Sequence, residues 1–314
     1  MNLRQIAIQT FFDPRMVCDS GGYSPSGTKP QFVFEDWCQR GLVEAIPFDP
    51  VSTTDLQLAH SQKYIDGVFA GTIANGHGNR SHAVADSTLW TVGSMVAAAR
   101  QALVSKVACS PSSGFHHAHY DHGSGFCTFN GLIVAARKLL REGRVQRIGI
   151  LDCDWHYGDG TENIIQTLGL RQNILHRTSG KERFDDAVDY LNWLEQSLID
   201  LWEWGSDLVL YQAGADVHRN DPLGGLLSDE EIAERDRTVF DFCLAKHIPV
   251  AWNLAGGYQR SQNGSIDKVI GLHRATMEAC FDMLRHSCEK RNRTHLPPKN
   301  TLPLTEFKSA NPES

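Results

Sequence analysis

The chain has 314 residues, 30 Lys and Arg against 37 Asp and Glu, and a net charge of −7. Its 41% apolar content is enough to offset the ordering entropy of a fold, which excludes a disordered chain, and its acidic balance leaves no electrostatic footprint for nucleic acid. No run approaches the roughly 18–20 consecutive apolar residues of a membrane span, and the N-terminal text MNLRQIAIQTFFDPR has neither a long apolar core nor a small-residue cleavage site, so a cytoplasmic chain without a signal peptide is expected.

In chain order, the first clear element is an Ala-rich helical stretch over Thr91–Val104. A second helix is expected over Asn130–Arg141, with apolar positions at Leu132, Ile133, Ala136, Leu139 and Leu140. Arg147–Trp155 is a short apolar run of strand type. An amphipathic helix follows over Asp186–Trp204, then a strand over Asp207–Gln212. Ser228 and Glu231 form a capping box that opens a helix toward Leu244. Ile248–Leu254 is a third strand, and Lys268–Cys288 the last long helix. The strand runs are almost continuously apolar rather than alternating, as expected for strands buried on both faces of a parallel sheet. Strand–helix alternation of this kind predicts one α/β domain with right-handed crossovers, a mostly parallel central sheet and helices on both faces. The domain is expected over residues 1–288, with a polar, Pro-containing tail over 289–314. The eight cysteines form no C-x-x-C pair, which leaves neither a zinc ribbon nor a thioredoxin-like motif, and without a secretory signal buried free thiols are expected rather than the disulfides an even count would allow.

Chemistry-bearing residues cluster where these strands end, which is where open parallel sheets build sites. Asp154 and His156 stand at i and i+2, on one side of an extended chain, so a carboxylate and an imidazole converge as a divalent metal requires. The competing reading is an Asp that caps the next helix and a packed His. Asp216 follows a separate strand and completes a three-ligand set, or else is a turn residue of the loop HRNDPLGG. The tandem His116-His117 fits metal binding or proton transfer, whereas His119 and His122 read as a solvated, His-rich loop. Tyr258 follows Gly256-Gly257, where backbone approaches a ligand closely. Its phenol suits an oxyanion donor, or simply packs at a strand end.

The segments HSQKYIDGV, GFHHAHYDHGSGFCTFNGLIVAA, GILDCDWHYGDGTENI, YQAGADVHRNDPLGGLLS and NLAGGY, spread over residues 60–258, together resemble the zinc-dependent histone deacetylase and acetylpolyamine amidohydrolase family, which has the arginase-like α/β fold. The resemblance implies Asp154, His156 and Asp216 as ligands of one zinc ion. It implies His117 as general base and acid, His116 as its electrostatic partner, and Asp152 and Asp159 as the carboxylates that orient the two histidines. Tyr258 becomes the oxyanion donor, and Gly125 and Phe126 part of a narrow tunnel around the acyl-lysine stem. A structural potassium ion is implied near Asp152, Asp154 and His156.

The chain departs from the family pattern in places. Tyr157 stands where many members have a second His, and Phe115 where Gly is usual. The aromatic-Pro-Gly tunnel segment is missing, which leaves Phe184, in Lys181-Glu182-Arg183-Phe184, as the candidate second wall. Leu223 falls where polyamine-preferring relatives carry an acidic gatekeeper. The expected substrate is therefore an acyl-lysine peptide or protein, with an acetylated polyamine as runner-up, and a homo-oligomer is compatible with the family. A catalytically silent acyl-lysine binding module would lack a ligand or the Tyr, and a two-manganese ureohydrolase would need further Asp and His ligands.

Overall fold

Short runs rich in Val, Ile and Leu form strands here because helices cover them from both sides. The computed structural model describes residues 7–294. Its strands are β1 (Ile8–Thr10), β2 (Val43–Ala45), β3 (Val107–Ser110), β4 (Ile148–Asp152), β5 (Ile174–Thr178), β6 (Leu208–Gly214) and β7 (Val250–Ala255). Its helices are α1 (Lys29–Gln39), α2 (Thr53–Leu56), α3 (Gln62–Phe69), α4 (His82–Ser105), α5 (Gly131–Arg141), α6 (Asp159–Thr167), α7 (Ala187–Glu203), α8 (Asp229–Ala245) and α9 (Asp267–Thr294). The strands form one sheet in the order β2-β1-β3-β7-β6-β4-β5, with every pairing parallel. This is the single α/β domain that the strand patterning predicts. Among the described residues no helix is long and apolar enough to cross a membrane.

Successive strand residues feed two separate cores. Along β4, Ile148 and Ile150 turn to one, and Leu151 and the following Cys153 to the other. Along β6, Leu208 and Leu210 join the first, and Val209, Tyr211 and Ala213 the second. Helices α3 to α6 close the first core through residues such as Ile65, Val96, Leu132 and Ile164. Helices α1, α7, α8 and α9 close the second through Trp37, Leu198, Phe240 and Met277.

Most elements begin where the local chemistry places them. The Ser228 hydroxyl accepts from Glu231 N, and Glu231 Oε2 accepts from Ser228 N at 2.7 Å. Asn130 caps α5 by accepting from Ile133 N at 3.1 Å. Helix α4 starts at His82, well before Thr91, because the Ser81 side chain caps it there. Helix α9 runs past Cys288 to Thr294, so the polar stretch from Glu289 begins as helix; residues 295–314 lie outside the described residues. Cys18, Cys38, Cys109, Cys127, Cys153, Cys243 and Cys280 are free thiols.

The sheet also carries a polar row that no single segment reveals. Register places Ser110 beside Asn253, Asn253 beside Gln212, Gln212 beside Asp152, and Asp152 beside Thr178. Their side chains grip the loops above. Gln212 donates Nε2 to Asp152 Oδ1 at 3.0 Å and accepts from Phe115 N at 3.0 Å. Asn253 Nδ2 reaches Ser113 O at 3.4 Å, and the Ser110 and Ser112 hydroxyls pair at 2.8 Å.

His60 anchors the far side of the same loops. Its Nε2 accepts from Asn130 N at 2.8 Å, and its Nδ1 lies 2.8 Å from His119 O. That geometry requires the neutral Nδ1–H tautomer, and burial holds the group at about 4. Between pH 6.5 and 4 the unfolded chain binds the proton and the folded one does not, so stability is full above this window and falls as pH drops through it. The total is about 3 kcal/mol. Denaturant unfolding across that range is expected to show a shallower acid loss for His60→Gln than for the unaltered protein. Equal slopes would refute the assignment.

Candidate active site

The polar clusters expected at strand ends meet because β3, β7, β6 and β4 are neighbours in the sheet. Asp154 and His156 follow β4, and Asp216 follows β6. One potential ligand atom from each of the three lies within 4.8 Å of the others. His156 Nδ1 is 3.2 Å from Asp154 Oδ1 and 2.8 Å from Asp216 Oδ2. Backbone amides fix the carboxylates: His156 N donates to Asp154 Oδ1 at 2.9 Å, and Trp155 N to Asp216 Oδ1 at 3.1 Å. Burial, and then the charge of Asp154, push the Asp216 carboxyl well above its ordinary range. Asp154 is buried too, yet His116 and His156 hold it below that range. Two like charges in one buried site, with an imidazole nitrogen between them, are the donor set that a divalent ion of borderline softness satisfies.

Each histidine of the tandem pair has its own carboxylate. His116 Nδ1 lies 2.8 Å from Asp152 Oδ2, and His117 Nδ1 lies 2.7 Å from Asp159 Oδ1. The rings are 4.1 Å apart but differ in setting. His116 is buried, with Nε2 3.6 Å from Asp154 Oδ1. Burial opposes its charge, but Asp152 and Asp154 outweigh it and raise the group to about 9. His117 is more open, with 19% of its side chain exposed. Helix α6 begins at Asp159, whose Oδ1 also accepts from Gly160 N at 2.8 Å, so the carboxylate on His117 is fixed by the helix start. His119, expected as a solvated loop residue, is only partly exposed and turns Nδ1 to His117 O at 3.0 Å. His122 is exposed beside Asp121.

Tyr258 stands on the turn after β7. Gly256 there has φ +53°, and a Cβ at that position would overlap the Asp216 carboxyl. Only glycine lets this turn press on Asp216. Burial, and then Asp154 and Asp216, hold the Tyr258 phenol well above its ordinary range, so it keeps the proton that a donor needs. The Tyr258 ring centroid is 5.6 Å from that of Phe126, which also meets Tyr23 and His77 at 5.7 Å each. Gly125 has φ +51°, and a Cβ there would overlap the His117 ring. Leu223 is 36% exposed.

Phe184 packs edge-on against Tyr190 and Trp193 of α7, at 5.0 and 5.9 Å, and among the described residues no ring contact joins it to Phe126. Tyr23, from a loop with no sequence signal, joins Tyr258 and His77 in meeting the Phe126 ring. Phe115 fits in place of glycine because its ring lies against Gly131, where a Cβ would clash, and it is 3% exposed.

Other residues at the site were not singled out by the sequence: Lys29 and His176 lie in no motif, and Asp221 lies within a quoted segment without a role. Lys29, fully buried at the start of α1, donates Nζ to Gly256 O, and burial lowers it to about 8 against the pull of Asp216 and Asp154. Asp221 accepts from Tyr258 N at 2.7 Å. His176 on β5 is buried between Asp152 at 3.8 Å and Glu162 at 3.6 Å, ion-pair distances that are too long for hydrogen bonds. A buried Lys or His in the sequence was the only available signal, and burial is not visible there.

Residues 28–177 and 175–270 match the family model described as the histone deacetylase domain. The chain belongs to the histone deacetylase family. An uncharacterised protein of Picosynechococcus sp. is 35% identical over 245 residues, 71% of this chain and 81% of that protein. Histone deacetylase 2 of Arabidopsis thaliana is 31% identical over 189 residues, 54% of this chain and 49% of that protein. The crystal structure of an acetylpolyamine aminohydrolase from Burkholderia pseudomallei shares the fold, with a TM-score of 0.69 at 15% identity over 88% of this chain and 99% of that one. In this histone deacetylase family member, the matched span contains the histidine pair, the Asp-His-Asp cluster and Tyr258.

Proposed function

We propose that this chain is a zinc-dependent amidohydrolase that removes acetyl, or another acyl group, from lysine side chains of proteins or peptides. The observation that carries the reading is the convergence of Asp154, His156 and Asp216 within 4.8 Å, beside two His–Asp pairs. Asp154, His156 and Asp216 would hold the zinc ion, which would supply the Lewis acidity that polarises an amide carbonyl and makes water nucleophilic near neutral pH. His117 donates an Nδ1–H hydrogen bond to Asp159, so Nε2 carries the lone pair that takes a proton from the attacking water and returns it to the leaving amine. His116, charged and held by Asp152, sets the field next to it. Tyr258 donates a hydrogen bond from its phenol to the oxygen that becomes negative. Phe126 lines the path of the substrate's aliphatic stem. Leu223 offers no charge to a cationic polyamine, which favours acyl-lysine over an acetylated polyamine. The reading includes a structural potassium ion on the Asp152–His156 segment.

The purified protein is expected to contain one zinc per chain and to hydrolyse an acetyl-lysine peptide faster than an acetylated polyamine. Chelation is expected to abolish turnover, and added zinc to restore it. Turnover that survives complete removal of metal would defeat the reading. Tight binding of the peptide without hydrolysis would point to a silent binding module instead.

A further inference from the structure

The turn that carries Tyr258 has little stiffness of its own. Gly256 and Gly257 both have positive φ, +53° and +86°, so the backbone just before the phenol is the kind that side chains normally restrain and glycine does not. Two buried charged side chains hold it from outside. Lys29 holds the carbonyl of Gly256. Asp221, 6% exposed, holds the amide of Tyr258 through Oδ2 at 2.7 Å. The other oxygen, Oδ1, accepts from Leu223 N at 3.0 Å. The amide of Asp221 is in turn held by His218 O at 2.8 Å. One carboxylate therefore joins the turn of the proposed oxyanion donor to the segment that carries Leu223, from a loop rooted beside Asp216.

We propose that Asp221 is a positioning residue whose carboxylate fixes the Tyr258 turn and ties it to the Pro222–Leu223 segment. The inference rests on the amidohydrolase reading and deepens it. Hydrogen bonds from neutral amides to a carboxylate are shorter and stronger than neutral pairs. Removing this one frees a glycine-built turn at the point where the phenol must meet a developing charge. A displacement of about 1 Å at such a point costs roughly 100-fold in rate.

The test uses Asp221→Asn, which is nearly isosteric and keeps one acceptor oxygen, and Asp221→Ala, which keeps none. With an acetyl-lysine peptide, kcat is expected to fall about 10- to 100-fold in Asp221→Ala and less in Asp221→Asn. KM is expected to stay within about threefold, because the fault lies in the transition state, and zinc content is expected to stay at one per chain. In a Tyr258→Phe background, Asp221→Ala is expected to cost little more, because its effect passes through the missing hydroxyl. A folded Asp221→Ala protein with unaltered kcat overturns the proposal, as does a full additional loss in the Tyr258→Phe background. Loss of fold or zinc in both variants also overturns it, by making Asp221 a folding residue only. Inactivity of the unsubstituted protein on every acylated amine would instead remove the amidohydrolase reading itself.

Discussion

Tyr258→Phe is expected to lower turnover of an acetyl-lysine peptide about 100- to 1,000-fold while zinc content and KM stay near those of the unsubstituted protein. The substitution deletes one oxygen and nothing else. The ring keeps its contact with Phe126 at 5.6 Å, and the turn keeps its backbone bond to Asp221. None of the three proposed ligands, Asp154, His156 and Asp216, is touched. What is lost is a hydroxyl that burial, and then Asp154 and Asp216, keep protonated. Steady-state kinetics beside elemental analysis decides the matter. Unchanged kcat would remove Tyr258 from the chemistry, and loss of zinc would make its role structural.

Asp216→Asn is expected to weaken zinc binding by more than about 100-fold, beyond the 10- to 100-fold typical of losing a group that only supports a ligand. Asparagine is the informative choice because Gly256 presses on the Asp216 carboxyl and a larger side chain would disturb the turn. The stability effect should change sign with metal. Asp216 is 0% exposed and held above the ordinary carboxylate range by burial and by Asp154. The folded state therefore disfavours its charge, and a neutral isostere removes that penalty. With chelator, the variant is expected to melt at or above the temperature of the unsubstituted protein. With saturating zinc the order reverses, because only the unsubstituted protein gains the binding free energy. Melting curves with and without chelator test this, and an unchanged zinc-induced shift in the variant would exclude Asp216 as a ligand.

Much of the site was legible because its key spacings are local. Asp154 and His156 are close in sequence and stay together, although β4 ends at Asp152 and the pair lies in the bend beyond it, where the His156 amide on the Asp154 carboxylate, and not strand alternation, joins them. Adjacent histidines stay adjacent, and a Gly-Gly before Tyr258 permits a tight turn in any context. The same holds for the capping box at Ser228 and for the double-sided apolar strands β4, β6 and β7. The short strands were not legible for a related reason. β3 has four residues and directly follows the Ala-rich helix α4, so its periodicity merges with the helix. β5 reads ILHRT, with a His and an Arg where a buried strand would be apolar.

By itself, the sequence determined which chemical groups were available and how they were spaced within each segment, because both depend on a few neighbouring residues. It also determined that the strands would be covered on both faces. Tertiary structure decided which strand ends became neighbours, and so which carboxylates shared one site. It aligned Ser110, Asn253, Gln212 and Asp152 across the sheet, and it brought Lys29 to a carbonyl 227 positions away and Asp221 to an amide 37 positions away. Contacts of that range follow from the order in which crossovers lay strands side by side and from the exclusion of water around the buried charges. Neither is encoded within any single window of the chain.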